Sequence, residues 1–275
     1  QAVEPDLPGI DQEGVVVLDS MEDMRHILRL ARLAREAVVV GGGITALEIV
    51  EGLRAQKVRV HYLMRGDRFW RSVLDETESQ IVQDRLAREG VRIHDHTELT
   101  RIVSRRDWRG RQRVSVVETK DGRAIRCQIV GVAIGVQPRL ELVAGTGIEH
   151  DRGILVNDRL ETSVRGVYAA GDVAAFYDPV LDKRRRVEHE DNALTMGKVA
   201  GQSMAGEPVR YDHSPFFYSD LFDLGYEAVG ELDSQLQTVA DWQDEFHKGV
   251  VYYLHDGRVR GVLLWNVWGQ VDAAR

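Results

Sequence analysis

Residues 38–48 read VVVGGGITALE, and few folds accommodate that run. Val38, Val39 and Val40 are β-branched and favour a buried strand. Gly41, Gly42 and Gly43 clear the side chains from the next three positions, and a helical pattern begins at Ile44. A parallel strand that passes through a tight turn into a helix aims the helix N-terminus at the turn, where unpaired N–H groups and the helix dipole attract phosphate. Gly41 permits the turn, and Gly43 lets the main chain approach a pyrophosphate with no Cβ in the way. Ala46 takes the third fingerprint position, small enough for close helix–strand packing. Gly42, Ile44 and Thr45 complete the phosphate-facing segment. Val58–Leu63 supplies a second strand, so the unit has the roughly 30 residues a β-α-β crossover needs. A glycine-rich turn without a ligand is the bland alternative, and the strand–turn–helix–strand context argues against it. The expected class is therefore α/β, a Rossmann-like dinucleotide-binding fold.

An acidic residue belongs at the end of the second strand, about 20 residues on, to hold the ribose 2′-OH. Met64 stands there instead, followed by Arg65, Arg68 and Arg71. Without the carboxylate a 2′-phosphate is not repelled, and an arginine pairs with it through two N–H groups. Arg65 and Arg71 thus favour NADP(H), with NAD still open and a solvated loop as the alternative reading of the arginines.

The flanking sequence fits the same plan. Ser20 is placed to cap a helix carrying Met24, Ile27, Leu28 and Ala31 on one face, with Asp23 in the capping-box position. Asp75–Glu89 reads as a helix stopped by Gly90, and 91–93 as a strand. The period becomes two around 100–134, with Asp121-Gly122 a hairpin turn, and 129–134 is a nearly continuous apolar run. That run ends at Ile134 and Gly135, where a return crossover would approach a bound cofactor. Val167-Tyr168-Ala169-Ala170 reads as a short strand delivering Gly171 and Asp172 to the ligand-binding end of a sheet. The Asp172 carboxylate there can accept from a ribityl hydroxyl, or serve as a plain helix N-cap. A helix is expected over 191–205. Alternating strands are expected around 226–232, 249–254 and 259–265, the last two joined at Asp256-Gly257, giving a separate C-terminal α+β unit.

A formal net charge of −8 argues against nucleic acid as a partner. Two basic runs, Arg105-Arg106 with Arg109, Arg111 and Arg113, and Lys183–Arg186, read as solvated loops. No apolar run is long enough to span a membrane, and none reads as a signal peptide. Cys127 is the only cysteine and reads as a small buried apolar residue; one thiol makes no intrachain disulfide, which fits a reducing, cytoplasmic setting. No cluster has metal-ligand spacing.

Three motifs in order, VVVGGGITALE, Ala133-Ile134-Gly135-Val136-Gln137-Pro138 and Tyr168-Ala169-Ala170-Gly171-Asp172-Val173, resemble those of FAD-dependent pyridine nucleotide-disulfide oxidoreductases, flavoproteins with two dinucleotide-binding domains. The segment Leu63–Arg71 resembles the 2′-phosphate loop of glutathione reductases. Arg186–Ala193, Pro215–Leu221, Gly225–Gly230 and Val262–Asn266 are similar to the ferredoxin/rubredoxin-reductase and apoptosis-inducing-factor branch. The resemblance implies an NAD(P)H-dependent reductase with FAD and NADP or NAD as cofactors, passing electrons to a small iron–sulfur carrier protein or a quinone-like acceptor. It places Glu48 near the nicotinamide and Glu188 and His189 along the nicotinamide nucleotide, with Glu48 and His189 as the catalytic candidates. Tyr218 stands where the family usually has Trp, and can still stack on a ring. A helix-face carboxylate and a satisfied structural histidine are the alternatives for Glu48 and His189. The implied organisation is a remnant of the FAD domain over 1–24, an NAD(P)-binding domain over 25–132, the second part of the FAD domain over 133–206, and a C-terminal, truncated dimerisation-type domain over 207–275. Because only 37 residues precede Val38, the chain reads as a piece lacking the ADP half of the FAD site and as inactive by itself. A homodimer is open. A slowly turning-over redox sensor is the alternative function; a flavin-free dehydrogenase is disfavoured by Asp172 and its motif.

Overall fold

The computed structural model describes residues 1–107 and 110–275, and these fall into two units, Gln1–Gln137 with Leu221–Leu224, and Pro138–Asp220 with Gly225–Arg275. Arg109 of the first basic run lies outside the described residues.

The first unit runs β1 (Val15–Val16), α1 (Met21–Ala31), β2 (Glu36–Val40), α2 (Ile44–Ala55), β3 (Arg59–Leu63), α3 (Glu76–Arg88), β4 (Arg92–His94), β5 (Leu99–Arg106), β6 (Gln112–Thr119), β7 (Ala124–Arg126) and β8 (Ile129–Val132). Its main sheet is parallel, in the order β1-β8-β2-β3-β4, with Val38 opposite His61 and Val130. β2 is central, and Ala37, Val38 and Val39 are fully buried, as a strand covered on both faces requires. Val38, Leu63, Val130 and Val132 pack on Leu99, Ile102, Val117 and Ile125 of the antiparallel sheet β5-β6-β7. On the other face α2 lies so close that a Cβ on Gly131 would stand 3.0 Å from Ile49 Cγ2. Each such fully buried Val, Leu or Ile contributes roughly 1.5–3 kcal/mol, so this two-sided burial is what fixes the strand that feeds the glycine turn.

Local signals set the helix ends. Ser20 caps α1 by accepting from the Asp23 N–H, while the Asp23 carboxylate accepts from the Asp19 N–H and the Ser20 hydroxyl. Asp75 and Glu78 form a reciprocal capping box on α3, and Gly90 follows its end with φ +75°. Within the stretch 1–24, β1 pairs with β8 in the main sheet, while Ala2 bridges Val136.

The second unit runs β9 (Ile154–Leu155), a 3₁₀ turn (Gly171–Val173), β10 (Ala174–Asp178), β11 (Lys183–Arg185), α4 (Glu190–Met204), β12 (Phe216–Leu221), β13 (Leu224–Gly230), β14 (Gln237–Asp244), β15 (Lys248–His255), β16 (Arg258–Trp265) and α5 (Val271–Ala274); Leu221 and Leu224, at the ends of β12 and β13, fall in the first unit. It contains the sheets β11-β10-β9 and β12-β13-β16-β15-β14. Asp256 and Gly257 both have positive φ, 49° and 71°, the signature of a two-residue type I′ hairpin.

Two expectations are corrected. Residues 167–170 form no strand: only Tyr168 bridges, to Glu161, and Ala169 N–H donates to Leu160 O, so a local turn consumes the pairing. Asp172 therefore precedes strand β10 rather than ending a strand, and it caps no helix, because Ala170 is at the cap of the 3₁₀ turn. The Lys183–Arg186 run is not a solvated loop. Its first three residues are β11, Arg185 pairs with Asp178 at 3.3 Å, and Arg184 donates to the carbonyls of Val156 and Ala175. Lys183 pairs with Glu231. In the first basic run, Arg105 and Arg106 lie on β5, Arg113 on β6 pairs with Glu13 and Asp107, and Arg111 pairs with Asp107.

Candidate dinucleotide site

The glycine turn is bare where a ligand would need it bare. A Cβ on Gly41 would stand 2.2 Å from Ala133 O and 3.0 Å from Ala46 Cβ, and its φ is +155°. Gly41 is thus fixed by the return strand and by Ala46, which is fully buried. A Cβ on Gly42 or Gly43 would meet nothing within 4 Å. Gly43 is the N-cap of α2, with no side chain capping the first turn, so N–H groups of the Gly43–Ala46 segment are left to a ligand over that space. This cradle fits a pyrophosphate. Ile44 and Thr45 are part-exposed beside it.

The loop after β3 meets this turn. Trp70 N–H donates to Gly42 O at 2.8 Å, and Gly41 N–H donates to Leu63 O at 3.1 Å. The Met64 side chain, expected beside the ribose, is 1% exposed and packed inward, so it offers a ligand no contact. Arg65 next to it is exposed and makes no ion pair among the described residues. Arg68 and Arg71 both reach Asp67, at 3.0 and 3.5 Å. The Asp67 carboxyl is held below the usual carboxylate range by its own backbone N–H and by these two guanidinium groups.

Behind the loop lies a polar relay that sequence reasoning missed. Met64 N–H donates to His94 O and Thr97 N–H to Met64 O. His61 and His94 stack, their Nδ1 and Nε2 atoms 3.0 Å apart, and Arg123 donates to His94 Nδ1 at 2.9 Å. His94 Nε2 must then carry the proton and donate to His61. Burial first, and neighbouring positive charge second, pushes both imidazoles below their ordinary range. No motif marks these residues; they meet only through the register of β3 and β4.

Glu48 sits one helical turn before Glu51 on α2. Its side chain keeps solvent access, yet nearby protein strips enough water to raise its pKa, and Glu51 adds to the shift. Ile134 is exposed, and Gly135, with φ +130°, has open space where a Cβ would stand.

The remaining candidates belong to the second unit. Gly171 has φ +76° and allows α4 to approach, since a Cβ would stand 3.4 Å from Ala193 Cβ. Asp172 is exposed, and its carboxylate has no hydrogen-bond partner among the described residues, which suits a hydroxyl-bearing ligand. Glu188 is tied to Arg186 at 2.5 Å. His189 caps α4: its Nδ1 faces the Asp191 N–H at 3.4 Å and its Nε2 the Tyr218 N–H at 3.3 Å. A neutral imidazole has one acceptor nitrogen, so it pairs with one of these at a time. Phe216, Phe217 and Tyr218 surround the ring, and Tyr218 OH donates to Glu190 at 3.1 Å. The Cys127 thiol is fully buried and pushed up to about 12 by burial. Among the described residues no group of three metal-ligating side chains could hold an ion, and no helix is long and apolar enough to cross a membrane.

A central parallel strand opening through an uncapped glycine turn defines the first unit as that of a dinucleotide-binding protein. The family model for pyridine nucleotide-disulphide oxidoreductases matches residues 1–197, and the model for the C-terminal part of mitochondrion-associated apoptosis-inducing factor matches 200–244 and 240–275. The chain belongs to the pyridine nucleotide-disulphide oxidoreductase family. It is 31% identical to apoptosis-inducing factor 1 of Dictyostelium discoideum, over 93% of this chain and 51% of that protein. It is 30% identical to rubredoxin-NAD(+) reductase of Ectopseudomonas oleovorans, over 82% of this chain and 57% of the relative. The crystal structure of the ferredoxin reductase of the CYP199A2 system from Rhodopseudomonas palustris superposes with a TM-score of 0.89 at 26% identity, over 96% of this chain and 64% of that one. The chain thus spans little more than half the length of these curated relatives.

Proposed function

We propose that this chain is the nicotinamide-binding and electron-delivering part of an NAD(P)H-dependent flavoprotein reductase whose acceptor is a small iron–sulfur protein. The observation that carries the reading is the uncapped start of α2 beneath open space at Gly42 and Gly43. The similarity to reductases named for rubredoxin and ferredoxin supports the acceptor class. FAD, when bound, supplies hydride acceptance from the nicotinamide and release of single electrons. The chain's own residues bind and orient. Gly43, Ile44 and Thr45 hold the pyrophosphate, Arg65 and Arg71 favour a 2′-phosphate, and Glu48, its pKa raised, holds or releases a proton beside the carboxamide. Residues 133–206 furnish the second part of the flavin site through Asp172. The solitary thiol favours the cytoplasm as the compartment.

Anaerobic mixing of the flavin-loaded protein with NADPH or NADH, followed by a ferredoxin or rubredoxin, tests the reading: rapid bleaching and then rapid recovery of the yellow colour are expected. A second reading, a redox sensor with slow turnover, is favoured by the C-terminal match to apoptosis-inducing factor. Bleaching by the nucleotide with recovery only over minutes would replace the first reading with this one.

A further inference from the structure

Arg186 closes the basic run, and among the described residues it alone of the four bonds both a main-chain carbonyl and a carboxylate. Its Nη1 donates to the Asp172 carbonyl oxygen at 2.7 Å, and its Nη2 donates to Glu188 Oε1 at 2.5 Å. Asp172 lies in the 3₁₀ turn before β10, and Glu188 in the link between β11 and α4. One guanidinium thus joins two segments that each carry a cofactor candidate. The side chain is only 21% exposed. A third segment makes room for it: a Cβ on Gly153 would stand 2.8 Å from Arg186 Cδ, 2.8 Å from Val173 O and 3.3 Å from Ala175 Cβ. Gly153 does not have a positive φ, so glycine is needed there for space and not for backbone conformation.

The geometry separates holding from binding. Arg186 takes the carbonyl of Asp172 and leaves its carboxylate exposed. It takes one oxygen of Glu188 through a charge-assisted bond, which fixes the direction of that side chain. A planar fork with donors on two nitrogens reaches both acceptors at once, whereas a lysine ammonium, a single point charge, serves one such geometry poorly.

We propose that Arg186 is a positioning residue of the flavin–nicotinamide site: it locks the Gly171–Val173 turn so that the Asp172 carboxylate is presented to a ribityl hydroxyl, and it sets Glu188 against the same anchor. The proposal rests on the flavoprotein reading above. Arg186 itself touches no cofactor and transfers nothing.

The test uses Arg186→Gln and Arg186→Lys in the full-length, FAD-carrying protein, with two readouts. The first is FAD affinity, from the fluorescence of released flavin. The second is amide exchange of Ala174, whose N–H closes the turn on Gly171 O, measured by mass spectrometry on protein freed of flavin. Arg186→Gln is expected to weaken FAD binding tenfold or more and to speed exchange at Ala174 at least tenfold; Arg186→Lys is expected to fall between this variant and the parent in both. Partial rescue by lysine separates a directed contact from general packing. FAD affinity within twofold of the parent together with unchanged exchange in Arg186→Gln overturns the proposal. If that variant does not fold, the lysine variant decides: parent-like values in both readouts overturn the proposal, intermediate values uphold it. A parent that holds no flavin would sink the flavoprotein reading, while faster exchange in the variants would still establish the clamp.

Discussion

Replacing Gly43 by valine separates binding from folding at the site. The backbone there is extended, φ −124° and ψ −172°, which a β-branched residue adopts readily, and a Cβ meets nothing within 4 Å. The cost to the fold is therefore limited to a poorer helix N-cap, about 1 kcal/mol. In a chain of this size that lowers Tm by only about 2–4 °C. The cost to the ligand is larger, because the new side chain fills the space over the first turn of α2. Losing two hydrogen bonds from backbone N–H groups to a charged pyrophosphate, each worth roughly 1.5–3 kcal/mol, removes about 3–6 kcal/mol. At about 1.4 kcal/mol per factor of ten, Kd rises at least a hundredfold. Calorimetry with NADH and NADPH measures this, and thermal unfolding of the same samples measures the fold. Gly41→Ala is the control with the opposite signature, since its Cβ would press on Ala133 O at 2.2 Å and distort the return strand. It should lose far more stability than Gly43→Val. Unchanged nucleotide affinity in well-folded Gly43→Val would refute the assignment of this turn.

Arg65→Ala with Arg71→Ala should weaken NADPH binding more than NADH binding, read as the ratio of the two Kd values; equal losses would show that these arginines do not meet a 2′-phosphate. Tyr62 is fully buried and its hydroxyl has no partner among the described residues, so Tyr62→Phe removes a group whose burial costs about 1–3 kcal/mol. Its denaturant midpoint should hold or rise, and a clear fall would show that the hydroxyl is paired. His61 and His94 bind protons less readily when folded than unfolded, so their contribution to stability is complete above the ordinary histidine pKa of about 6.5 and drains as pH falls toward their lowered folded values. Denaturant midpoints between roughly pH 7 and 5 should decline, and the decline should be shallower in His94→Gln; identical slopes would remove the histidine pair from the account.

The glycine turn was legible because its geometry is set by what is missing. A strand of valines, no Cβ for three residues and a small residue at Ala46 leave one solution, and the caps at Ser20 and Asp75 follow from equally local chemistry. Val167–Ala170 misled because apolar side chains mark burial, not pairing; the partner of a strand lies elsewhere in the chain, and here only Tyr168 found one. Lys183–Arg186 misled for a related reason. Four adjacent cations repel in an open chain, yet Asp178, Glu188 and Glu231 and several carbonyls, brought in by the fold, absorb them. Gly153 shows the same limit: it carries no turn signal, and its need for glycine appears only when Arg186 lies across it. Met64 occupied the right place in the chain, yet directly after β3 its side chain is buried like those of His61, Tyr62 and Leu63 before it.

Backbone amide NMR of the ¹⁵N-labelled chain, titrated with NADH and NADPH, bears most directly on where the nucleotide sits. The largest shifts are expected at Gly42, Gly43, Ile44 and Thr45, with smaller ones over Arg65–Arg71 on NADPH. Saturable binding that leaves those four amides unmoved while perturbing residues elsewhere would contradict the account.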